Sequence, residues 1–344
     1  MRLKIVKHIL NFARPAKTSR DVLHQREIYY FILSGPEGNK VGIGECAPIF
    51  GLSREQPSAF QKTLAIISNA RSIEEIPADI LIQNPSIVFA LETAKHDLAN
   101  GGKREVFPLL SKSRIPINGL VWMNEKEAML SEALAKIDAG FNCIKLKIGG
   151  INFEDELEIL NEIRNRYSPS MVEIRLDANG AFGIEDALTK LEKLSQYNIH
   201  SIEQPVKAGQ WKVMSNLCKR SPIPIALDEE LIAMDDKKDA LLESIQPQFI
   251  ILKPTLHGGL EGCDQWIKAA RERNIQWWAT SALESNIGLN AIAQWLTTYN
   301  NPMPQGLGTG KLFVDNIPSP LQSGSGYFWW DEHLTWQVDS ILNH

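Results

Sequence analysis

No CxxC pair occurs in this chain of 344 residues, and its four cysteines, Cys46, Cys143, Cys218 and Cys263, are widely scattered. That spacing gives neither a disulfide framework nor a thiolate metal site, so reduced, structural cysteines are expected. Long apolar runs are also missing. The longest, such as "IPIAL" and "FIILK", fall far short of the about 20 residues that a membrane span needs. The N-terminal "MRLKIVKHILNF" is basic but has no long apolar core and no small-residue cleavage site, which predicts a cytoplasmic protein without a signal peptide. An excess of one charge is lacking too. The formal net charge is -5, so no global attraction to nucleic acid or to an acidic membrane surface is expected. The glycine-rich pieces "KIGG", "LHGG" and "GLGTG" match neither a P-loop nor a dinucleotide fingerprint and read as tight turns. His257 has no partner at ligand spacing and is expected to be structural or exposed.

What the chain does have is two kinds of patterning. Residues 1–112 read as an α+β unit. "LKIVKHI" and "EIYYFIL" are strand-like, "GPEGNK" is a hairpin turn into "VGIGECAP", and two helices follow, one after Ser53 and one from Pro85 to Gly101-Gly102. Residues 113–318 alternate short apolar strands with amphipathic helices. The strands are "INGLVW", "CIKLKI", "VEIRLD", "SIEQP", "IPIALD", "FIILK", "IQWWATS" and "PQGLGTG", and eight such units predict a parallel (β/α) barrel. The aromatic tail 319–344 is expected to leave the barrel and pack back on the first unit.

Five of these strands end in an ionisable residue: Lys147, Asp177, Glu203, Asp228 and Lys253, at intervals of 30, 26, 25 and 25 residues. One β/α unit of a barrel takes about that many, so the five fall at the C-terminal ends of successive strands, where barrel active sites form. Three carboxylates converging on one mouth repel, and hold protons unless a cation neutralises them. Oxygen ligands without His or Cys suit Mg²⁺, with Mn²⁺ as the substitute. Lys145 and Lys147 share one strand face and stand on one flank, Lys253 on the other. A lysine placed beside a cation and a second lysine can serve as a base near neutral pH, and a metal-held substrate carboxylate has its α-proton acidified. Each position alone also admits a plainer role: Asp228 as a helix cap, Glu203 as a loop residue, Lys253 snorkelling to solvent, Lys145 and Lys147 in a structural ion network. Five placements in register with the strand repeat weigh against coincidence.

The set "KLK" at 145–147, "DAN" at 177–179, "EQP" at 203–205, "LDE" at 227–229 and "LKP" at 252–254, with "GIGECAP" at 42–48, resembles the enolase superfamily and within it the muconate-lactonising subgroup. The resemblance covers nearly the whole chain. It implies a modified TIM barrel of enolase type with an N-terminal α+β capping domain. It also implies a small-molecule carboxylate substrate, Asp177, Glu203 and Asp228 as metal ligands, Lys147 as base on one face and Lys253 as the group on the other. Lys145 would keep Lys147 reactive, Asn179 would support the metal shell and Glu229 would support Lys253. The absence of a strand-seven histidine points away from the mandelate racemase branch. "GLGTG" at 306–310 stands where dipeptide epimerases of the subgroup carry an Asp-x-Asp that grips an ammonium. The resemblance therefore leans to the branch that dehydrates a succinyl-hydroxycyclohexadiene carboxylate to an aromatic acid, with racemases and epimerases as the alternative. For substrate binding it suggests Arg175, on the face of Asp177, then Ser281 with neighbouring backbone N–H groups in "TSALESNIG", and Gly308. "DANGAF" lacks the tryptophan common after this motif. The basic stretch 13–21 is expected to be a loop over the mouth, offering Arg14, Lys17 or Arg20 to a second carboxylate; a solvated turn fits it equally.

Overall fold

Two long antiparallel strands, β1 (Arg2–Lys17) and β2 (Val22–Ser34), are joined by a third, β3 (Val41–Cys46), in the order β1-β2-β3. The computed structural model describes residues 1–17, 22–35, 40–70, 72–108 and 113–343; the expected hairpin turn at 36–39 lies outside them. Alternate residues of β2 serve two cores. Tyr29, Phe31 and Leu33 pack with Phe60, Leu64 and Ile87, while Ile28, Tyr30 and Ile32 pack with Phe313, Ile317 and Ile341. Burial on both faces explains why "IYYFIL" is a continuous apolar run rather than an alternating one. Helices α1 (Pro57–Asn69), α2 (Ala78–Gln83) and α3 (Pro85–Ala99) follow, α2 being a six-residue helix between the two expected ones. At Gly44 of β3 a Cβ would stand 1.9 Å from the Ala90 carbonyl oxygen of α3, so only glycine lets this helix lie so close on the sheet.

The expected loop 13–21 is corrected over its first part. Pairing between β1 and β2 breaks between Asn11 and Ala16, and there β1 bonds to a later segment instead: Ala13 N–H donates to Leu312 O at 2.8 Å and Val314 N–H to Asn11 O at 3.0 Å. Ala13–Lys17 is thus extended strand. Arg14 on it is exposed, and the side chain of Lys17 and all of Arg20 lie outside the described residues.

A short strand, β4 (Arg114–Pro116), leads into the barrel. Seven parallel strands then pair in chain order: β5 (Gly119–Val121), β6 (Cys143–Lys147), β7 (Glu173–Asp177), β8 (Ser201–Glu203), β9 (Ile225–Leu227), β10 (Phe249–Leu252) and β11 (Gln276–Ala279). Each is followed by one of the helices α4 (Lys126–Asp138), α5 (Phe153–Arg166), α6 (Ala187–Leu194), α7 (Trp211–Arg220), α8 (Lys238–Ile245), α9 (Gly259–Arg271) and α10 (Asn286–Thr297). Helix α5 illustrates local encoding. The Asn152 side chain accepts from Glu154 N–H at 2.9 Å, Glu154, Asp155 and Glu156 fill the first turn, and Arg164 and Arg166 fill the last, all in the sense the helix dipole favours.

The eighth strand is shorter than "PQGLGTG" suggests. Only Gln305 and Gly306 pair, bridging Ile117 and Thr280 to close the ring. A Cβ at residue 306 would lie 2.2 Å from Thr280 Oγ1, and the Gln305 side chain supplies a bond that a longer strand would make with its backbone, accepting from Ala279 N–H at 2.8 Å. The tail then divides. Strands β12 (Leu321–Gly324) and β13 (Tyr327–Trp330) form a hairpin on β4, at the end where barrel strands begin, with Ile117 N–H donating to Gly326 O at 2.8 Å. Further on, Trp336, Val338 and Ile341, the last in α11 (Asp339–Leu342), join the cluster of Leu10, Ile28 and Tyr30. All four cysteines are buried free thiols, and no helix among the described residues is long and apolar enough to cross a membrane.

Candidate active site

The register of the barrel places three side chains at one level. Lys147 on β6 is opposite Asp177 on β7, and Asp177 is opposite Glu203 on β8. Asp228 and Lys253 follow β9 and β10 directly. The sheet order therefore sets Lys147 on one side of three carboxylates and Lys253 on the other. Lys145, Asp177, Glu203 and Asp228 are buried. Lys145 Nζ lies 2.8 Å from Glu203 Oε2 and 3.3 Å from Asp177 Oδ2. Lys147 Nζ is 2.8 Å from the same Asp177 oxygen and 2.7 Å from Asn179 Oδ1, and Lys253 Nζ is 2.6 Å from both Asp228 oxygens. Asn179 Nδ2 donates to Glu229 Oε1 at 3.0 Å, so Asn179 and Glu229 link the two flanks.

These contacts fix the electrostatics. Burial disfavours charge on Asp177, yet the ammonium groups of Lys147 and Lys145 outweigh it and hold this carboxyl well below the usual carboxylate range. Burial likewise opposes charge on Lys145 and Lys253, but Glu203 and Asp177 around the first, and Asp228 and Glu229 around the second, raise both. Glu203 goes the other way. Burial, together with Asp177 and Asp228, outweighs Lys145 and pushes it up to about 8. A carboxyl in that position calls for a proton or a further cation.

Gln204 is a residue the sequence reading passed over. It is fully buried with φ at 41°, a left-handed conformation uncommon for its type. Its Oε1 accepts from the N–H groups of Asp228 (3.3 Å) and Glu230 (3.2 Å), while Nε2 donates to Val206 O (2.9 Å) and Glu230 Oε2 (3.0 Å). Gln204 thus orients the backbone that carries Asp228. Its signal is the polar residue between Glu203 and Pro205 in "EQP", at a strand end. Asn179 at 45° and Leu283 at 64° share the left-handed conformation, so three strained positions adjoin the mouth.

A cavity of about 360 Å³ opens above this cluster. Lys145, Lys147, Asp177, Asn179, Asp228, Glu229 and Lys253 line one side; Leu120, Trp122, Thr280, Ser281 and Gly308 stand on the barrel walls; Leu23 and Ile49–Leu52 of the N-terminal unit close the top. The two units are locked together around it. The buried Arg26 guanidinium donates to Pro48 O and Ala47 O, both at 2.5 Å, and to Ala282 O at 3.2 Å, tying the cap wall to the loop after β11. Glu45 accepts from Ser285 N–H (2.7 Å) and Gly288 N–H (2.8 Å) at the start of α10, and Glu92 of α3 accepts from Leu260 N–H (2.6 Å) and Glu261 N–H (2.9 Å) at the start of α9. Each is a carboxylate seated on the positive end of a helix dipole. The turn after Lys147 is pinned in the same manner, Gly149 N–H donating to Glu156 at 2.5 Å.

Three of the expected substrate contacts are placed differently. Arg175 shares the face of Asp177 but sits one level below it, fully buried; its Nε meets Glu173 Oε1 at 2.7 Å, its Nη1 meets Pro304 O at 2.8 Å and its guanidinium lies 4.3 Å over the Trp278 ring, away from the cavity. Arg14 does not line the cavity either. Ser281 does, but its hydroxyl donates to Glu284 Oε2 at 2.5 Å, and the N–H groups of Ser281, Ala282 and Leu283 are spent on Gly306 O, Glu284 Oε2 and Ser281 Oγ. These backbone groups are therefore not offered to a ligand. His257 is buried, as one of its two expected settings, and accepts from Lys253 N–H at 3.0 Å; burial brings it down to about 4, so it is neutral.

The donors fit a hard divalent cation. Glu203 Oε1 is buried with no hydrogen-bond partner among the described residues, and Asp177 and Asp228 offer further oxygens beside it. Among the described residues no three carboxylate, histidine or cysteine side chains are gathered closely enough to cage an ion; the Lys145 ammonium lies between Asp177 and Glu203, and Lys253 sits on Asp228.

Residues 128–329 match the family described as enolase C-terminal domain-like. With this barrel and its N-terminal antiparallel unit, the chain belongs to the enolase superfamily and is an enzyme of that class. It is 43% identical to o-succinylbenzoate synthase of Desulfotalea psychrophila over 95% of this chain and 98% of that protein. The crystal structure of MenC from Desulfotalea psychrophila superposes with a TM-score of 0.80 at 39% identity, covering 95% of this chain and 99% of that one. A dipeptide epimerase from Cytophaga hutchinsonii gives 0.82 at 21% identity over 99% and 97%, a likeness of fold.

Proposed function

We propose that this protein is an o-succinylbenzoate synthase of menaquinone synthesis, a lyase that removes water from 2-succinyl-6-hydroxy-2,4-cyclohexadiene-1-carboxylate. The observation that carries the reading is the pair Lys147 and Lys253, set on opposite sides of three buried carboxylates in a cavity. Full-length similarity to a named o-succinylbenzoate synthase supports the choice of reaction.

Asp177, Glu203 and Asp228 would hold Mg²⁺, and the ion, when bound, stabilises the negative charge that develops on the substrate carboxylate. Lys147 acts as the neutral amine and takes the proton from the carbon bearing that carboxylate, becoming the ammonium. It then returns a proton to the departing hydroxyl on the same face. The C–H and C–OH bonds break, a ring double bond forms, and water and an aromatic acid leave. Lys253 remains charged, held by Asp228, and stabilises the same negative charge from the other side. Lys145, clamped between Asp177 and Glu203, fixes their positions and adds positive potential beside Lys147. Asn179 and Glu229 brace the flanks. Ser281 and Gly308 shape the wall.

Turnover of this diene with Mg²⁺ is expected as an ultraviolet change on aromatisation, and Lys147→Ala should lower it about 10²- to 10⁴-fold, the usual worth of a general base. A wild-type protein that leaves the diene unchanged refutes the proposal. Lysines on both faces also suit a racemase of N-acylated amino acids; exchange of the Cα proton in D₂O would support that second reading.

A further inference from the structure

The cavity has a second polar wall, remote from the lysines in the chain and free of charge. Asn118, just before β5, and Thr309, just after the closing residues of the ring, both line it. The chain just before Thr309 passes Asn118: a Cβ at Gly308 would lie 3.7 Å from the Asn118 carbonyl oxygen. Asn118 is 3% exposed and Thr309 5%. Yet Asn118 Oδ1 and Thr309 Oγ1 have no hydrogen-bond partner among the described residues. Buried polar atoms are nearly always paired, so two unpaired ones on residues that line one cavity mark where a ligand bonds. Their neighbours are already committed, Thr280 Oγ1 to Gly306 O and the Ser281 hydroxyl to Glu284.

We propose that Asn118 and Thr309 form an uncharged subsite that takes the carbonyl oxygen of the substrate's acyl side chain, and so select for an acylated ring. The proposal rests on the function assigned above. The chemistry of the wall sets the ligand class. Thr309 can donate its hydroxyl proton, and the Asn118 amide can turn its Nδ2 toward an acceptor. Gly308 and Gly310 bring no charge here, so neither an ammonium nor a carboxylate finds a counter-charge on this wall; a neutral carbonyl needs none. The cap residues above, Leu23, Ile49, Phe50 and Leu52, are apolar and suit the ring and methylene groups.

The test is calorimetric titration of o-succinylbenzoate and of benzoate, with Mg²⁺, into the wild type and into Thr309→Val and Asn118→Ala, together with steady-state kinetics on the diene. Thr309→Val is nearly isosteric and removes only the hydroxyl. Each variant is expected to bind o-succinylbenzoate roughly five- to tenfold more weakly, the loss of about one hydrogen bond, with benzoate unchanged and the diene's KM raised more than kcat is lowered. Variants that bind the acyl ligand as the wild type does overturn the subsite, even where the wild type turns over the diene. A wild type that binds o-succinylbenzoate through Thr309 without turning over the diene keeps the subsite and removes the reaction. A wild type that neither binds nor reacts overturns both.

Discussion

Gln204→Leu isolates how the backbone under Asp228 is set. Leucine fills a similar volume, so the change removes hydrogen bonds without opening a cavity. Four are lost: two accepted from the Asp228 and Glu230 N–H groups and two donated to Val206 O and Glu230 Oε2. At about 1 kcal/mol net for each bond, the variant should lose about 4 kcal/mol, and more if the buried partners stay unpaired. At about 2.1 cal/mol/K for each of 344 residues, each kcal/mol is worth about 1.4 °C, so melting should fall by roughly 5–6 °C. Gln204→Glu keeps an acceptor for both N–H groups but loses both donors, and it sets a carboxylate against Glu230, so it should not restore the loss. Thermal melting by circular dichroism measures the stability; a Mg²⁺ titration of activity measures the placement of Asp228, and the half-saturating concentration should rise. A Gln204→Leu protein melting within about 1 °C of the wild type, with the same Mg²⁺ requirement, would show that these four bonds do not hold the motif.

Gly44→Ala should destabilise by about 3 kcal/mol, because its Cβ would meet the Ala90 carbonyl oxygen at 1.9 Å and that atom belongs to a helix backbone; an unchanged denaturation midpoint would refute the close approach. Glu92 is raised by burial from an ordinary value of 4.5 to about 7. The folded carboxyl thus binds its proton more tightly than the unfolded one, and its contribution falls as pH rises from about 4.5 to about 7. Glu92→Gln should flatten the melting profile over that window, and superimposable wild-type and variant profiles would refute this role.

The five ionisable residues were legible because barrel strands are short and evenly spaced, so a chemical pattern with a period near 25 residues maps directly onto the ring. Alternation told which face Arg175 takes but not its depth, and one level separates the cavity from the Trp278 ring beneath. The bonding of Ser281 was hidden for a different reason. Glu284, three residues away, consumes the donors of its own loop, and local sequence does not reveal how a loop spends its hydrogen bonds. The strand at 13–17 depended on a partner about 300 residues away, Leu312–Val314, and pairing at that separation leaves no local mark. Asn118 lies in no motif, and within "GLGTG" nothing marks Thr309 out; only their unpaired burial distinguishes them.

The ring closes through Gln305 and Gly306 alone. From Leu307 to Gly310 no ladder holds the chain, and pairing resumes only where Leu312 and Val314 meet β1. Amino-acid changes or length changes in that segment leave the other seven strands paired, while they reshape the cavity wall at Gly308 and Thr309. The seam that closes the ring is therefore also a wall of the cavity, where residues 307–310 can change what the pocket presents without breaking a barrel ladder.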